Sequence, residues 1–219
     1  MPRQLIFELP AKVSRDRGDF FVSDANALAV RRIEDTSAWT QGKLALVGPE
    51  GSGKSHLLQV WAEAQGAMVL TPHALSDTEI GTIAQPVAVD DADRVQGEAE
   101  VALFHLHNRL ASLGLPFLIV GREAPARWRA ELPDLKSRLE ATEVARIEPP
   151  DDALLSAVLV KLFTDRQIAV APAVIDYLAT RMERSFAGAQ QLVDRLDRAA
   201  MAEGRAVTRT LARAVLDKP

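Results

Sequence analysis

The chain has 219 residues, 47% of them apolar, with 26 Lys+Arg against 30 Asp+Glu and a formal net charge of −4. That length suits one ordinary domain, or a larger domain with a small companion, and the apolar share is enough to bury a core. With no cysteine, disulfides and thiolate metal sites are excluded. No apolar run approaches the ~18 residues of a membrane helix, and the opening MPRQLIFELPAK lacks the long apolar core of a signal peptide, so a cytoplasmic location is expected. The acidic balance argues against strong direct nucleic-acid binding, although Arg127–Arg129 and the stretch from Arg195 to Arg213 are locally basic.

Residues 1–12 stand apart. Gln4-Leu5-Ile6-Phe7-Glu8-Leu9-Pro10 is a short apolar segment closed by proline and followed by charged residues. It reads either as an arm packed on the domain or as a linear peptide for a partner's apolar groove. A helix is expected over Ala27–Ile33, with Ser23 or Asp24 as its cap. Leu44–Val47 is a buried strand, and Ser55–Ala64 a helix with Leu57, Leu58 and Trp61 inward and Gly66 past its end.

Further strands are expected at Ala67–Leu70, Pro86–Val89, Pro116–Val120 and Val144–Ile147. Thr71–Gly81 holds a short helix at most. Glu98–Leu113 has a helical apolar period through Val101, Leu103, Phe104, Leu106, Leu110 and Leu113. Ala126–Glu131 and Asp134–Leu139 read as short helices. Alternating strands and helices predict a five-stranded parallel sheet. After Pro149-Pro150 the texture changes to four helices, near 151–166, 172–183, 187–203 and 208–216, with Asp151, Asp152 and Pro172 at helix starts. The expected divisions are 1–12, 13–149 and 150–219: an arm, an α/β nucleotide-binding domain and an all-α domain.

Between the first strand and its helix lie Gly48, Pro49, Glu50, Gly51, Ser52, Gly53, Lys54 and Ser55, the full G-x-x-x-x-G-K-S spacing of a P-loop. Glycines let the backbone turn its N–H groups around an anion, and the helix N-terminus adds partial positive charge. Lys54 reaches the terminal phosphates, and the Ser55 hydroxyl is placed for Mg²⁺. His56 follows on the first turn as a further nucleotide contact. A P-loop ATPase also needs an acidic strand end. Val87-Ala-Val-Asp90-Asp91 supplies Asp90 to hold Mg²⁺ through water and Asp91 to polarise an attacking water. His105 and His107 lie two apart on a helix with no ligand cluster beside them, which argues against a metal site. Trp128, between Arg127 and Arg129, is either an interface aromatic or a packed one.

A P-loop α/β domain with a helical lid is the AAA+ pattern. GPEGSGKSHL at 48–57, VAVDDADRV at 87–95, LFHLHNRLA at 103–111 and DLKSRLEA at 134–141 resemble the DnaA initiator group and, more narrowly, Hda-type regulators of DnaA. The resemblance spans nearly the whole chain, and a DnaA-like core without appended helix-turn-helix and N-terminal domains fits the Hda pattern. It implies ATP or ADP as ligand with Mg²⁺, and DnaA as partner. It implies the DNA polymerase sliding clamp as a second partner, bound through Gln4, Leu5, Phe7 and Leu9. Self-association is an open alternative. Arg138 matches the arginine finger that reaches a neighbouring subunit's nucleotide; a guanidinium suits that role because it is always charged and forked.

Two positions depart from the family pattern. Arg122 stands where sensor 1 usually has Asp, and Ala187 where sensor 2 has Arg, with Arg184 one turn earlier as a substitute. Missing sensor charge weakens transition-state stabilisation, so intrinsic hydrolysis is expected to be weak or absent. The expected function is regulatory: nucleotide-dependent docking on clamp and DnaA, with Arg138 promoting hydrolysis in DnaA. The rival readings are a self-contained ATPase such as a helicase-loading factor, and a DnaA-related DNA-binding adaptor, which the charge and the missing helix-turn-helix disfavour.

Overall fold

A computed structural model describes residues 21–217; the arm, with Gln4, Leu5, Phe7 and Leu9, lies outside the described residues. Five strands, β1 (Lys43–Val47), β2 (Met68–Leu70), β3 (Val87–Val89), β4 (Phe117–Gly121) and β5 (Glu143–Arg146), form one sheet in the order β2-β3-β4-β1-β5. Every pairing is parallel, as the alternation of elements predicts. β1 is buried at all five positions, which is why it reads as a continuous apolar run rather than an alternating one.

Helices cover both faces. On one side α1 (Ala27–Glu34) and α2 (Lys54–Gln65) pack Ile33, Leu57, Leu58 and Trp61 against Leu44, Leu46, Leu118 and Val120. Trp39 and Trp61 stack there at 5.3 Å. On the other side α3 (Pro72–Asp77), α4 (Glu98–Leu113) and α5 (Pro133–Glu140) pack Leu75, Leu103, Leu106, Leu110, Leu135 and Leu139 against Val47, Val89, Phe117 and Ile119. The two lists alternate along each strand, as side chains of period two must.

From Asp152 onward the described residues are helical: α6 (Asp152–Asp165), α7 (Pro172–Ala179), α8 (Phe186–Glu203) and α9 (Arg209–Leu216). They share a separate apolar core, centred on Leu155, Leu159, Leu178, Val193, Leu196 and Leu211. Asp151 caps α6 by accepting from Leu154 N–H, and Pro172 opens α7.

Three local expectations are corrected. α1 begins after Asn26, not Ser23 or Asp24. The buried Asn26 side chain bonds Ser23 N–H and Phe21 C=O, using its capacity on the incoming chain rather than on the helix. Residues 126–131 form no α-helix: a single 3₁₀ turn over Pro125–Arg127 ends where Trp128 becomes extended. Trp128 is packed rather than presented, only 8% exposed, with Nε1 donating to Glu123 C=O at 2.7 Å. On α4, Val101 and Leu113 face outward, 44% and 41% exposed, because the inward stripe runs through Ala99, Leu103, Leu106 and Leu110.

His107 lies on that stripe. It is 2% exposed and edge-on to Phe117, and neither ring nitrogen has a hydrogen-bond partner. Burial, reinforced by the charges of Lys43 and Arg138, pushes its pKa down to about 4. An unfolded chain has an ordinary imidazole and takes up the proton first. The stability owed to neutral His107 is therefore complete above about pH 6.5 and is lost as the pH falls toward 4. Between pH 7 and pH 5 this amounts to about 2 kcal/mol. Urea unfolding of His107→Leu should lose that much of the wild-type pH dependence; the same dependence in both proteins would contradict the assignment.

Candidate functional site

Parallel strands bring their carboxyl ends to one edge of the sheet, where ligands bind in open α/β folds. β1 and β4 run in a register that sets Val47 beside Gly121, and β3 and β4 set Val89 beside Ile119. The P-loop, the Asp90–Asp93 turn and Arg122 therefore emerge side by side. Gly48 has no room for a side chain: a Cβ there would lie 2.9 Å from Ile147 C=O. Gly51 and Gly53 take φ of +75° and +85°, values that favour glycine. They curl the loop into the N-terminus of α2.

Lys54 Nζ lies inside the loop, donating to Gly48 C=O at 2.9 Å and Pro49 C=O at 2.8 Å. Its pKa is lowered, first by burial and then by Arg122; Asp90, Asp93 and Asp91 oppose the shift. An anion arriving in the loop would relieve the cost of that buried ammonium. Ser55 and His56 are exposed on the first turn of α2. Ser52 is buried, and its hydroxyl has no hydrogen-bond partner among the described residues.

Asp90 ends β3. Its backbone N–H donates to Leu70 C=O, and its Oδ1 accepts from Asp91 N–H at 2.9 Å. Asp91 has φ +49°, and its carboxylate pairs with Arg94 at 3.1 Å. Asp93, which the sequence reading passed over, is structurally the more committed. Its Oδ2 accepts from Arg122 N–H at 2.8 Å, and its Oδ1 is buried without a partner. It also stands ahead of Asp91 in its influence on Lys54. The only sequence signal was the DDAD run itself, in which one turn separates strand end from positioning residue.

No group of three His, Asp or Glu among the described residues could hold a metal by itself. Mg²⁺ needs few protein ligands when phosphates and waters complete its shell. The exposed Ser55 hydroxyl, the Asp90 carboxylate and the unpartnered Asp93 oxygen beside the loop fit that donor set.

Both departures from the sensor pattern have structural consequences. Gly121 is packed under Trp128, whose Cζ2 would lie 2.7 Å from an added Cβ. That packing, with the Asp93 bond, fixes where Arg122 leaves β4. The Arg122 guanidinium then reaches across to the P-loop, with Nη2 2.9 Å from Glu50 Oε2. Ala187 is the second residue of α8, near Gly51; a Cβ on Gly51 would lie 3.0 Å from Phe186 Cβ and 3.9 Å from Ala187 N. The lid thus meets the loop at Gly51 through Phe186, an apolar side chain. Arg184 pairs instead with Asp152 at the start of the lid, at 2.6 Å.

Arg138 is elsewhere. It lies over the Phe104 ring at 5.4 Å, half-buried, with Nε unpartnered. It is close enough to Lys43 and His107 to lower the pKa of both. Lys43 begins β1, whereas the P-loop follows its end, and five residues of strand span about 13 Å. Arg138 and Lys54 therefore occupy opposite ends of the sheet.

Comparison with known proteins agrees with this architecture. Residues 152–216 match the family described as "Hda, lid domain". An uncharacterised protein of Haemophilus influenzae is 27% identical over 213 residues, covering 90% of this chain and 91% of that one. Domain III of the Thermotoga maritima replication initiation protein DnaA superposes with a TM-score of 0.73 at 20% identity, covering 92% of this chain and 96% of that one. AMPPCP-bound DnaA from Aquifex aeolicus gives 0.63 at 20% identity, covering 81% of this chain and 64% of that one. The chain thus shares its fold with domain III of DnaA, and its C-terminal helices, residues 152–216, match the Hda lid family.

Proposed function

We propose that this protein regulates replication initiation by binding an adenine nucleotide in its P-loop, docking on DnaA and stimulating ATP hydrolysis there. The observation that carries this reading is the position of Arg138. A guanidinium at the opposite end of the sheet from Lys54 serves no nucleotide held by its own chain. Half-buried on Phe104 and beside two further basic side chains, it has no carboxylate in a short ion pair with it among the described residues. An arginine kept in that state remains available to phosphate oxygens on another subunit. The nucleotide reading rests on the P-loop geometry, and an AMPPCP-bound DnaA shares the fold.

Bound nucleotide would be held by the loop backbone and Lys54, with Ser55 and Asp90 as the Mg²⁺ side, the ion adding charge neutralisation between phosphates. Its role is to join core and lid, which already meet at Gly51 and Phe186. Asp91, tied to Arg94, would have to leave that pair to act on water, which fits weak intrinsic turnover. Gln4, Leu5, Phe7 and Leu9 would hold the sliding clamp through a groove-binding peptide, placing the regulator where DNA synthesis is under way.

Arg138→Ala should fold normally and bind nucleotide yet reduce stimulated DnaA hydrolysis to the unstimulated rate; full stimulation by this variant would refute the reading. Clamp pull-down should be lost on substituting Gln4 and Leu5 by Ala together, and retention of the clamp would remove that partner. Lys54→Ala should abolish nucleotide binding. A robust turnover by the protein alone, lost in Lys54→Ala, would instead establish the self-contained ATPase.

A further inference from the structure

Two guanidiniums meet the ring of Tyr177 on α7. Arg181, one turn further along, has Cζ 4.2 Å from the ring centroid, and Arg209, the first residue of α9, has Cζ 4.8 Å from it. The two helices share the lid core through Leu178 and Leu211, so packing fixes this meeting. Four other lid arginines stand in ion pairs: Arg166 with Asp194, Arg184 with Asp152, Arg205 with Glu203 and Arg213 with Asp217. Arg181 and Arg209 are in no ion pair among the described residues; Arg181 Nη1 donates to Thr180 Oγ1 at 3.0 Å. An aromatic face attracts a guanidinium without neutralising it, so both keep their charge and most of their N–H groups for a ligand.

We propose that the groove between α7 and α9 is an anion site for a small ligand carrying two or more phosphate groups. The groove measures about 770 Å³ and is completed by Thr210, Arg213 and Leu216, with Asp217 as the one carboxylate lining it among the described residues. That volume lies within the roughly 300–1,000 Å³ of small-molecule sites. The Arg213–Asp217 pair, at 3.5 Å with both side chains well exposed, is weak and easily exchanged. Three forked cations on two helices suit an anion with several oxygens on adjacent centres better than a lone carboxylate. The site shares no residue with the P-loop and does not rest on the nucleotide reading. It also accounts for part of the basic stretch from Arg195 to Arg213, since Arg209 and Arg213 both line the groove. A bound anion would tie α7 to α9 and so stabilise the lid.

The sequence has one tyrosine, so ring-labelled tyrosine gives NMR signals that belong to Tyr177 alone. Inorganic pyrophosphate, titrated at low salt into the intact chain, should move them saturably. Replacing Arg181 and Arg209 by Ala together should weaken this binding by about 10- to 100-fold. Replacing Arg198 and Arg205 by Ala, which removes the same charge from the lid outside the groove, should change it by no more than about twofold. In Lys54→Ala, ADP binding more tightly than pyrophosphate would support the site with a nucleotide as the phosphate source, and weaker or equal binding would support it with an inorganic one. Tyr177 signals that pyrophosphate leaves in place, or moves equally in the Arg181 and Arg209 variant, would overturn the site. So would a poly-glutamate peptide that moves them at lower concentration than pyrophosphate.

Discussion

The polarity of the sheet is the constraint on which the site depends. All five strands point the same way, so every loop that follows a strand opens on one edge and every residue that begins a strand lies on the other. β4 lies between β1 and β3, and their registers bring Gly48, Arg122 and Asp90 to neighbouring positions from three separate parts of the chain. The same polarity sends Lys43, and Arg138 near it, to the far edge. One geometric fact therefore assembles the P-loop edge and removes Arg138 from it.

Electrostatics divide along the same line. At the nucleotide edge a buried lysine is opposed by burial and by Arg122 and supported by three aspartates in one short turn. That balance favours occupation by an anion and, beyond it, a cation. At the far edge burial and the Arg138 charge lower the pKa of Lys43, while burial and the charges of Lys43 and Arg138 keep His107 neutral. The arginine keeps its charge, supported by the Phe104 face, whose quadrupole attracts a cation more cheaply than a buried carboxylate would. A surface so arranged suits a ligand that brings its own negative charge.

Much of this was legible in the residues. The strands are apolar runs bounded by charge or glycine, and the lid helices carry their caps, Asp151 and Pro172, in the sequence. The P-loop is legible because its chemistry is local. What sequence reasoning missed depends on contacts between distant segments. Glu50 reads as one more loop residue until β4 carries Arg122 to it. Asp93 reads as a polar residue until a 3₁₀ turn directs it to Arg122 N–H. Arg184 looks available to phosphates until Asp152 takes it. Trp128, flanked by arginines, stays open between an interface aromatic and a packed one until the space over Gly121 proves to be its place.

On the proposed reading this chain is a nucleotide-ordered clasp, with Arg138 serving another subunit's ligand. The most direct test of it places a γ-labelled ATP on one protein at a time before mixing this chain with DnaA and the clamp on DNA, and follows single-turnover release of labelled phosphate. Label loaded on DnaA should be released rapidly, while label loaded on this chain should be retained over the same time. Rapid release from this chain, with retention by DnaA, would contradict the account.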